Sequence, residues 1–349
     1  MRARNVFYLL LREVGIGVAL VLMIVVFSAL APRFASVANL TNILTQISIN
    51  TVIAVGMTFV ILLGGIDLSV GSVLALATIV GGMVIAREDL STGTAIALAI
   101  AASTLVGCVC GLFNGLVSER WKIHSFIVTL GMLNIARGAA SQISNSRTIS
   151  SFPDEFNEIG SAVVAGVPVI FLIALAIVLA GRFVLARTVF GRMIYAIGNN
   201  EEAVRLSGHV PSLYKVAAFT MCGGTVGLAA IMYMMRLNIA SPTLGGGFEL
   251  NAIAAVAIGG TSMSGGKGSM IGTFLGASII GVLNNGLLLL GLGDFARQIV
   301  TGLIIVLAVI IDKYRMRALA TAVLKPVQTA GSAGGADDGA RAVTAPTTN

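Results

Sequence analysis

Ionisable residues are scarce in this sequence: only 11% of its 349 residues are Asp, Glu, Lys or Arg. Ordinary soluble domains carry roughly a quarter, so the scarcity argues against a water-soluble enzyme or regulator. Histidine is limited to His124 and His209, which are solitary. No HExxH or GxSxG pattern occurs, which removes the zinc-protease and serine-hydrolase arrangements. Cysteine is equally sparse. Cys108, Cys110 and Cys222 lie inside apolar stretches, where a thiol acts as a small hydrophobe, and no disulfide framework is expected. Cys108 and Cys110 point to roughly opposite faces of a helix, which argues against a shared metal, and no metal site is expected.

A nucleotide-binding loop is also missing. The stretch SGGKGS, 264–269, has the composition of a Walker A loop, but Thr261 stands where its first glycine belongs and Gly268 where Ser or Thr must follow the lysine. None of Lys122, Lys215, Lys313 and Lys325 follows a glycine. The chain is therefore expected to hold no cofactor of its own.

Apolar residues, by contrast, make up 56% of the chain, and mean hydropathy is +0.97. Such a chain has lipid as its solvent. Apolar blocks recur from Val14 to Ile311 with no polar domain between them. A hydrocarbon core of about 30 Å takes about 20 helical residues. Cutting the blocks at polar and glycine-rich breaks gives ten spans, near 14–31, 43–63, 71–86, 94–117, 125–141, 163–181, 214–235, 250–260, 270–291 and 296–311. The expected fold is an all-α, polytopic transmembrane bundle of about ten helices. The eighth span is too short to cross alone and is expected to be a broken helix, its irregular backbone covered by protein or water. The first span follows Arg2, Arg4 and Arg12, and its run of about 18 apolar residues is longer than a signal-peptide core, so it is read as a retained helix. The 42 glycines mostly serve close helix approach.

The net charge of +7 is spread over the ends of the apolar segments rather than gathered in one patch, which points to membrane topology and not to nucleic acid. With both termini inside, sixteen basic residues fall on the cytoplasmic side (Arg2, Arg4, Arg12, Arg120, Lys122, Arg182, Arg187, Arg192, Arg205, Lys215, Lys267, Lys313, Arg315, Arg317, Lys325, Arg341). Six fall outside: Arg33, Arg87, Arg137, Arg147, Arg236 and Arg297. Residues 1–325 thus read as one membrane domain, and 326–349 as a disordered cytoplasmic tail without apolar periodicity.

Two internal echoes occur. Gly64, Gly65, Ser69 and Gly71 share the spacing of Gly259, Gly260, Ser264 and Gly266, and GLFNGL (111–116) resembles GVLNNGL (281–287). The second joins the fourth and ninth spans, oppositely oriented as an inverted repeat requires. The first joins the second and eighth, and no single repeat satisfies both.

Polar groups set in or beside the apolar runs are Asp67, Asn114, Asn134, Glu249, Asn251, Asn284 and Asn285. They must face protein or water. They line a path for a hydroxylated solute, or they join helices and cap helix ends, as Asp67 in GGIDLSVGS would. The largest interior loop, 182–211, contains Gly198, Asn199, Asn200, Glu201, Glu202, Ala203, Val204, Arg205, Leu206, Ser207, Gly208 and His209. These predict a short helix bounded by Gly198 and Gly208, with Ala203, Val204 and Leu206 on its apolar side. It suits either a partner's groove or the lipid headgroups, and its two glutamates disfavour anionic lipid.

Four stretches, GMTFVILLGGIDLSVGS (56–72), GRMIYAIGNNEEAVRLSG (191–208), SPTLGGGFELNAIAAVAIGGTSMSGGKGS (241–269) and GVLNNGLLLLG (281–291), make residues 39–312 resemble the membrane subunit of bacterial ABC importers of the ribose and xylose type. The resemblance implies a permease of the inner membrane, working as a homodimer, that moves a monosaccharide or related polyol. It also implies a cytoplasmic ABC ATPase that binds ATP and Mg, and a periplasmic sugar-binding protein. It makes Gly198–Gly208 the segment that couples to the ATPase. Asn251 stands where the family commonly has Asp, and Arg205 and His209 where smaller or apolar residues are usual. Pentose, hexose, polyol and signalling sugar all stay open. The alternative is an ion-coupled secondary transporter, for which only Asp67 and Glu249 are candidate coupling groups.

Overall fold

The computed structural model describes residues 2–304, 306, 307 and 310 of the chain. The tail 326–349, the limit of the membrane domain at 325 and the basic residues from Lys313 onward lie outside the described residues. The fold is all-α. Its helices are α1 (Arg2–Leu30), α2 (Val37–Leu62), α3 (Val70–Ile85), α4 (Thr92–Trp121), α5 (Ser125–Ile143), α6 (Asp154–Ser161), α7 (Val169–Arg187), α8 (Val189–Asn199), α9 (Glu201–Leu206), α10 (Pro211–Leu237), α11 (Phe248–Ile258) and α12 (Met270–Leu289). A further helical stretch, 294–304, is α13. Helix starts are set by side-chain caps: Ser36, Ser91 and Ser269 accept from the backbone N–H three residues on, in α2, α4 and α12.

Among the described residues, seven helices are long and apolar enough to cross a membrane, and α3 and α11 are shorter apolar helices. With α13 these account for the ten expected segments. The eighth, α11, has 11 residues, about 16 Å at the helical rise, and is the broken helix expected there. The sixth starts later than expected, at Val169 rather than 163. Val163–Val164 and Val167–Pro168 instead form a two-stranded hairpin across Ala165 and Gly166, both at positive φ. Apolar content alone could not separate this hairpin from the helix it precedes. A second two-residue pairing, Ile149–Ser150 with Ile239–Ala240, ties two loops together.

The central helix is α2, whose Val52, Ile53, Ala54, Met57 and Leu62 are fully enclosed. It packs against α7, α10, α11 and α12. Outer faces, such as Val18, Val21, Leu22 and Val25 of α1, stay exposed and apolar, as lipid contact requires. The most extensive seam joins α4 to α10. Gly107 and Gly223 lie backbone to backbone, where a Cβ on Gly107 would fall 2.0 Å from the Gly223 oxygen, and a Cβ on Gly111 would fall 2.1 Å from that of Phe219. Spacing small residues four apart lets two helices meet without side chains between them.

Packing also shows an internal exchange. α3 packs on α4 as α11 packs on α12, α4 on α10 as α12 on α2, and α3 on α10 as α11 on α2. Shifting by five spans converts each pair into the other, so the GLFNGL and GVLNNGL echo marks an inverted repeat. The glycine echo has another meaning, because its two breaks touch. The Gly266 N–H donates to the Leu62 carbonyl at 2.8 Å, beside Gly64.

Breaks at membrane depth expose backbone polar groups that need partners. Here protein supplies them. Ser125 Oγ accepts from Ile66 N (3.3 Å) and Thr129 Oγ1 donates to Ile66 O (3.3 Å). Arg137 donates to the carbonyls of Pro242 and Leu244 at 2.5 and 2.6 Å. Tyr195 Oη donates to Gly268 O (3.0 Å), and Asn199 Nδ2 to Gly266 O (3.1 Å).

Candidate translocation pocket and docking helix

The seven polar residues expected to mark a path separate into five environments. Asp67 and Asn114 are buried together. Asp67 Oδ1 accepts from the Ser69 N–H (2.9 Å) and Ser69 Oγ (2.6 Å), at the start of α3, and Asn114 Nδ2 donates to Ser69 Oγ (3.0 Å) and Asp67 Oδ2 (3.4 Å). This cluster fastens the break before α3 to α4. Asn285 exchanges two amide hydrogen bonds with Asn39, at 2.9 and 3.0 Å, joining α12 to the start of α2. Glu249 accepts from the Gly247 N–H at 3.2 Å, so it braces the entry to α11. Asn134 is exposed on α5 and donates within its own helix, to Leu130 O at 3.1 Å.

Asn251 and Asn284 share a cavity of about 730 Å³ toward the starting end of α2, with Gln46, Gly246, Gly247, Leu250, Asp294, Arg297, Gln298, Thr301 and Gly302. Four amides, one hydroxyl and an Asp294–Arg297 ion pair thus converge on one space, with Thr301 Oγ1 3.5 Å from Asn284 Oδ1. The volume falls within the usual range for small-molecule sites, about 300–1,000 Å³. Amides and carboxylates offer both donors and acceptors, which a polyhydroxylated solute can satisfy on many sides. The α13 residues were not singled out in the sequence, where Arg297 read only as a topological charge. Their signal is a stripe: Asp294, Arg297, Gln298 and Thr301 recur at i, i+3, i+4 and i+7, one polar face on an apolar helix.

The segment expected to couple to a partner lies at the other end of α2. Its helix is α9, but its boundary is not Gly198, which sits inside α8. A Cβ there would fall 1.9 Å from the Leu62 carbonyl oxygen, so Gly198 marks a close approach and not a stop. Asn200 separates the helices and caps α9, its side chain accepting from the Ala203 N–H at 3.0 Å. Ser207 follows as the C-cap, and Gly208, at φ 85°, ends the turn. The expected apolar side is divided: Val204 alone is buried, while Ala203 faces out and Leu206 is 79% exposed. Glu202 and Arg205 form an exposed i,i+3 ion pair beside Leu206. Its hydrogen bond to Glu202 raises the Arg205 pKa further, so the guanidinium stays charged.

A ten-segment helical bundle with broken helices, an internal inverted repeat and a polar cavity defines a multi-pass transport permease. Sequence comparison places it more narrowly. The pattern of a family described as the branched-chain amino acid transport system permease component matches residues 39–309. The chain is 41% identical over 299 residues to the ribose import permease protein RbsC of Escherichia coli K12, covering 84% of this chain and 92% of that protein. It is 37% identical over 295 residues to the D-allose transport system permease protein AlsC of the same strain, covering 84% and 89%. It is 32% identical over 315 residues to the L-arabinose ABC transporter permease protein AraH of Azospirillum brasilense, covering 90% and 91%. No solved structure matches the chain. The chain belongs to this permease family, among its ribose-type sugar importer permeases, and is a multi-pass protein of the bacterial inner membrane.

Proposed function

We propose that this chain is the membrane path of an ATP-binding cassette importer that carries a monosaccharide or related polyol inward. ATP and Mg belong to a separate cytoplasmic ATPase, a second copy of the permease completes the pore, and a periplasmic sugar-binding protein delivers the solute. The observation that carries this reading is α9: a capped helix seated on the bundle by Val204 that turns Glu202, Arg205 and Leu206 outward. An exposed leucine beside an ion pair on a membrane protein's loop suits a protein groove. The similar ribose, D-allose and L-arabinose permeases support a monosaccharide.

The end bearing α9 is the cytoplasmic one in this reading. It gathers Arg120, Lys122, Arg182, Arg187, Arg192, Arg205, Lys215 and Lys267, as the positive-inside rule requires. The polar cavity then opens on the periplasmic half, where a delivered sugar would arrive. ATP binding in the partner biases the inward-facing against the outward-facing form, and α9 conveys that bias. Asp67, Glu249 and Asp294 are each held by protein partners, which disfavours ion-gradient coupling through them.

The test is uptake of labelled monosaccharides into proteoliposomes containing permease, ATPase and binding protein. Replacing Glu201, Glu202 and Arg205 together by alanine is expected to reduce ATP-dependent uptake about tenfold or more, equivalent to losing about 1.4 kcal/mol of docking free energy. Membrane insertion stays normal. Undiminished uptake in that variant would overturn the assignment of α9, and uptake by the permease alone, driven by an ion gradient, would overturn the import mechanism.

A further inference from the structure

Lys215 and Glu119 occupy positions that helix electrostatics disfavours. Lys215 lies in the second turn of α10, near the positive end of that helix, and Glu119 in the last turn of α4, near its negative end. Neither stabilises its own helix there. Each is explained by the other: Lys215 Nζ lies 3.1 Å from Glu119 Oε1 and 2.7 Å from Glu201 Oε2, the first residue of α9. The Glu119 leg of the bridge is shielded, with Lys215 19% and Glu119 11% exposed at the side chain, while Glu201 on the shorter leg is 46% exposed. The Lys215–Glu119 pair is therefore less screened by salt than a surface pair. Lys122, at 3.1 Å from Glu119 Oε2, is largely exposed and adds little constraint.

The helices that this bridge grips are themselves joined by the glycine seam, where Gly107, Gly111 and Gly115 leave no room for side chains against α10. Movement of α9 transmitted through Lys215 therefore displaces α4 and α10 as one body. Resting on the reading of α9 given above, we propose that Lys215 is a positioning residue, a strut between two carboxylates that makes the α4–α10 pair follow the docking helix.

Lys215→Met keeps the stem and removes the charge, and Lys215→Arg keeps the charge. In proteoliposomes with ATPase and binding protein, Lys215→Met is expected to lower solute moved per ATP hydrolysed several-fold while ATP hydrolysis continues, with Lys215→Arg restoring most of the ratio. An unchanged ratio in Lys215→Met would overturn the proposal. Hydrogen exchange on the permease alone, in nanodiscs, supplies a second readout that needs no partner. The α9 amides of Lys215→Met should exchange faster, with α2 and α12 unaltered. Equal α9 exchange would remove the strut even if transport were lost, and a general rise across the bundle would assign Lys215 to folding instead. If wild-type vesicles show no ATP-dependent uptake, the reading of α9 fails, whereas the exchange result still decides the strut.

Discussion

Asn284 and Asn285 are neighbours with the same side chain and different surroundings. Successive residues on a helix point about 100° apart, so Asn285 meets Asn39 on α2 while Asn284 lines the cavity. Replacing Asn285 by leucine removes both hydrogen bonds to the half-buried Asn39, whose Nδ2 keeps only the Phe34 carbonyl, a loss of about 0.6–2 kcal/mol for hydrogen bonds between membrane helices. Asn285→Leu should therefore lower the yield of monodisperse protein and uptake in equal proportion. Asn284→Leu should slow uptake per folded molecule, as measured by transport normalised to monodisperse protein. Equal losses in both variants would assign Asn284 to helix packing as well. The sequence could name this dipeptide as polar and costly, but not divide it, because the division depends on which neighbours surround α12. The same limit hid Lys215 and Glu119, whose partners are far apart in the chain.

Elements were legible where one physical quantity controls them. Apolar length marked the spans, and glycine clusters marked the breaks after α2 and α11. The separate α8 and α9 were not legible, because Gly198 has a stop signal's composition but serves an approach between backbones. The first glycine echo, which fits no repeat, joins two breaks that touch, the Gly266 N–H donating to the Leu62 carbonyl. Prediction at this scale concerns the seam. Gly111→Ala places a methyl against the Phe219 carbonyl, and overpacking of this kind costs about 1–3 kcal/mol. Gly17→Ala meets nothing within 4 Å. Thermal unfolding in detergent should show a lowered midpoint for Gly111→Ala and an unchanged one for Gly17→Ala. A stable Gly111→Ala protein would mean that α4 and α10 separate easily, which also removes the rigid pair on which the strut acts.

The whole molecule presents unlike ends: one bears α9 and much of the positive charge, and the other bears the acidic α6 and the polar cavity. The proposed sidedness makes a simple forecast for single cysteines introduced at exposed positions. A membrane-impermeant maleimide should label Glu155→Cys from the periplasmic side of sealed spheroplasts, and Ser207→Cys only after permeabilisation. The reverse pattern would invert the topology and exclude a cytoplasmic α9. The shortness of α11 bears on how much must move for a solute to pass. Its 11 residues fill about half of a hydrocarbon layer of about 30 Å, and both flanking segments are hydrogen-bonded loops rather than helix. Along that line the apolar barrier is thin. In the proposed transport role, a shift of a few ångströms in the helices around it would carry occlusion from one face of a sugar-sized space to the other without opening the bundle through its full depth.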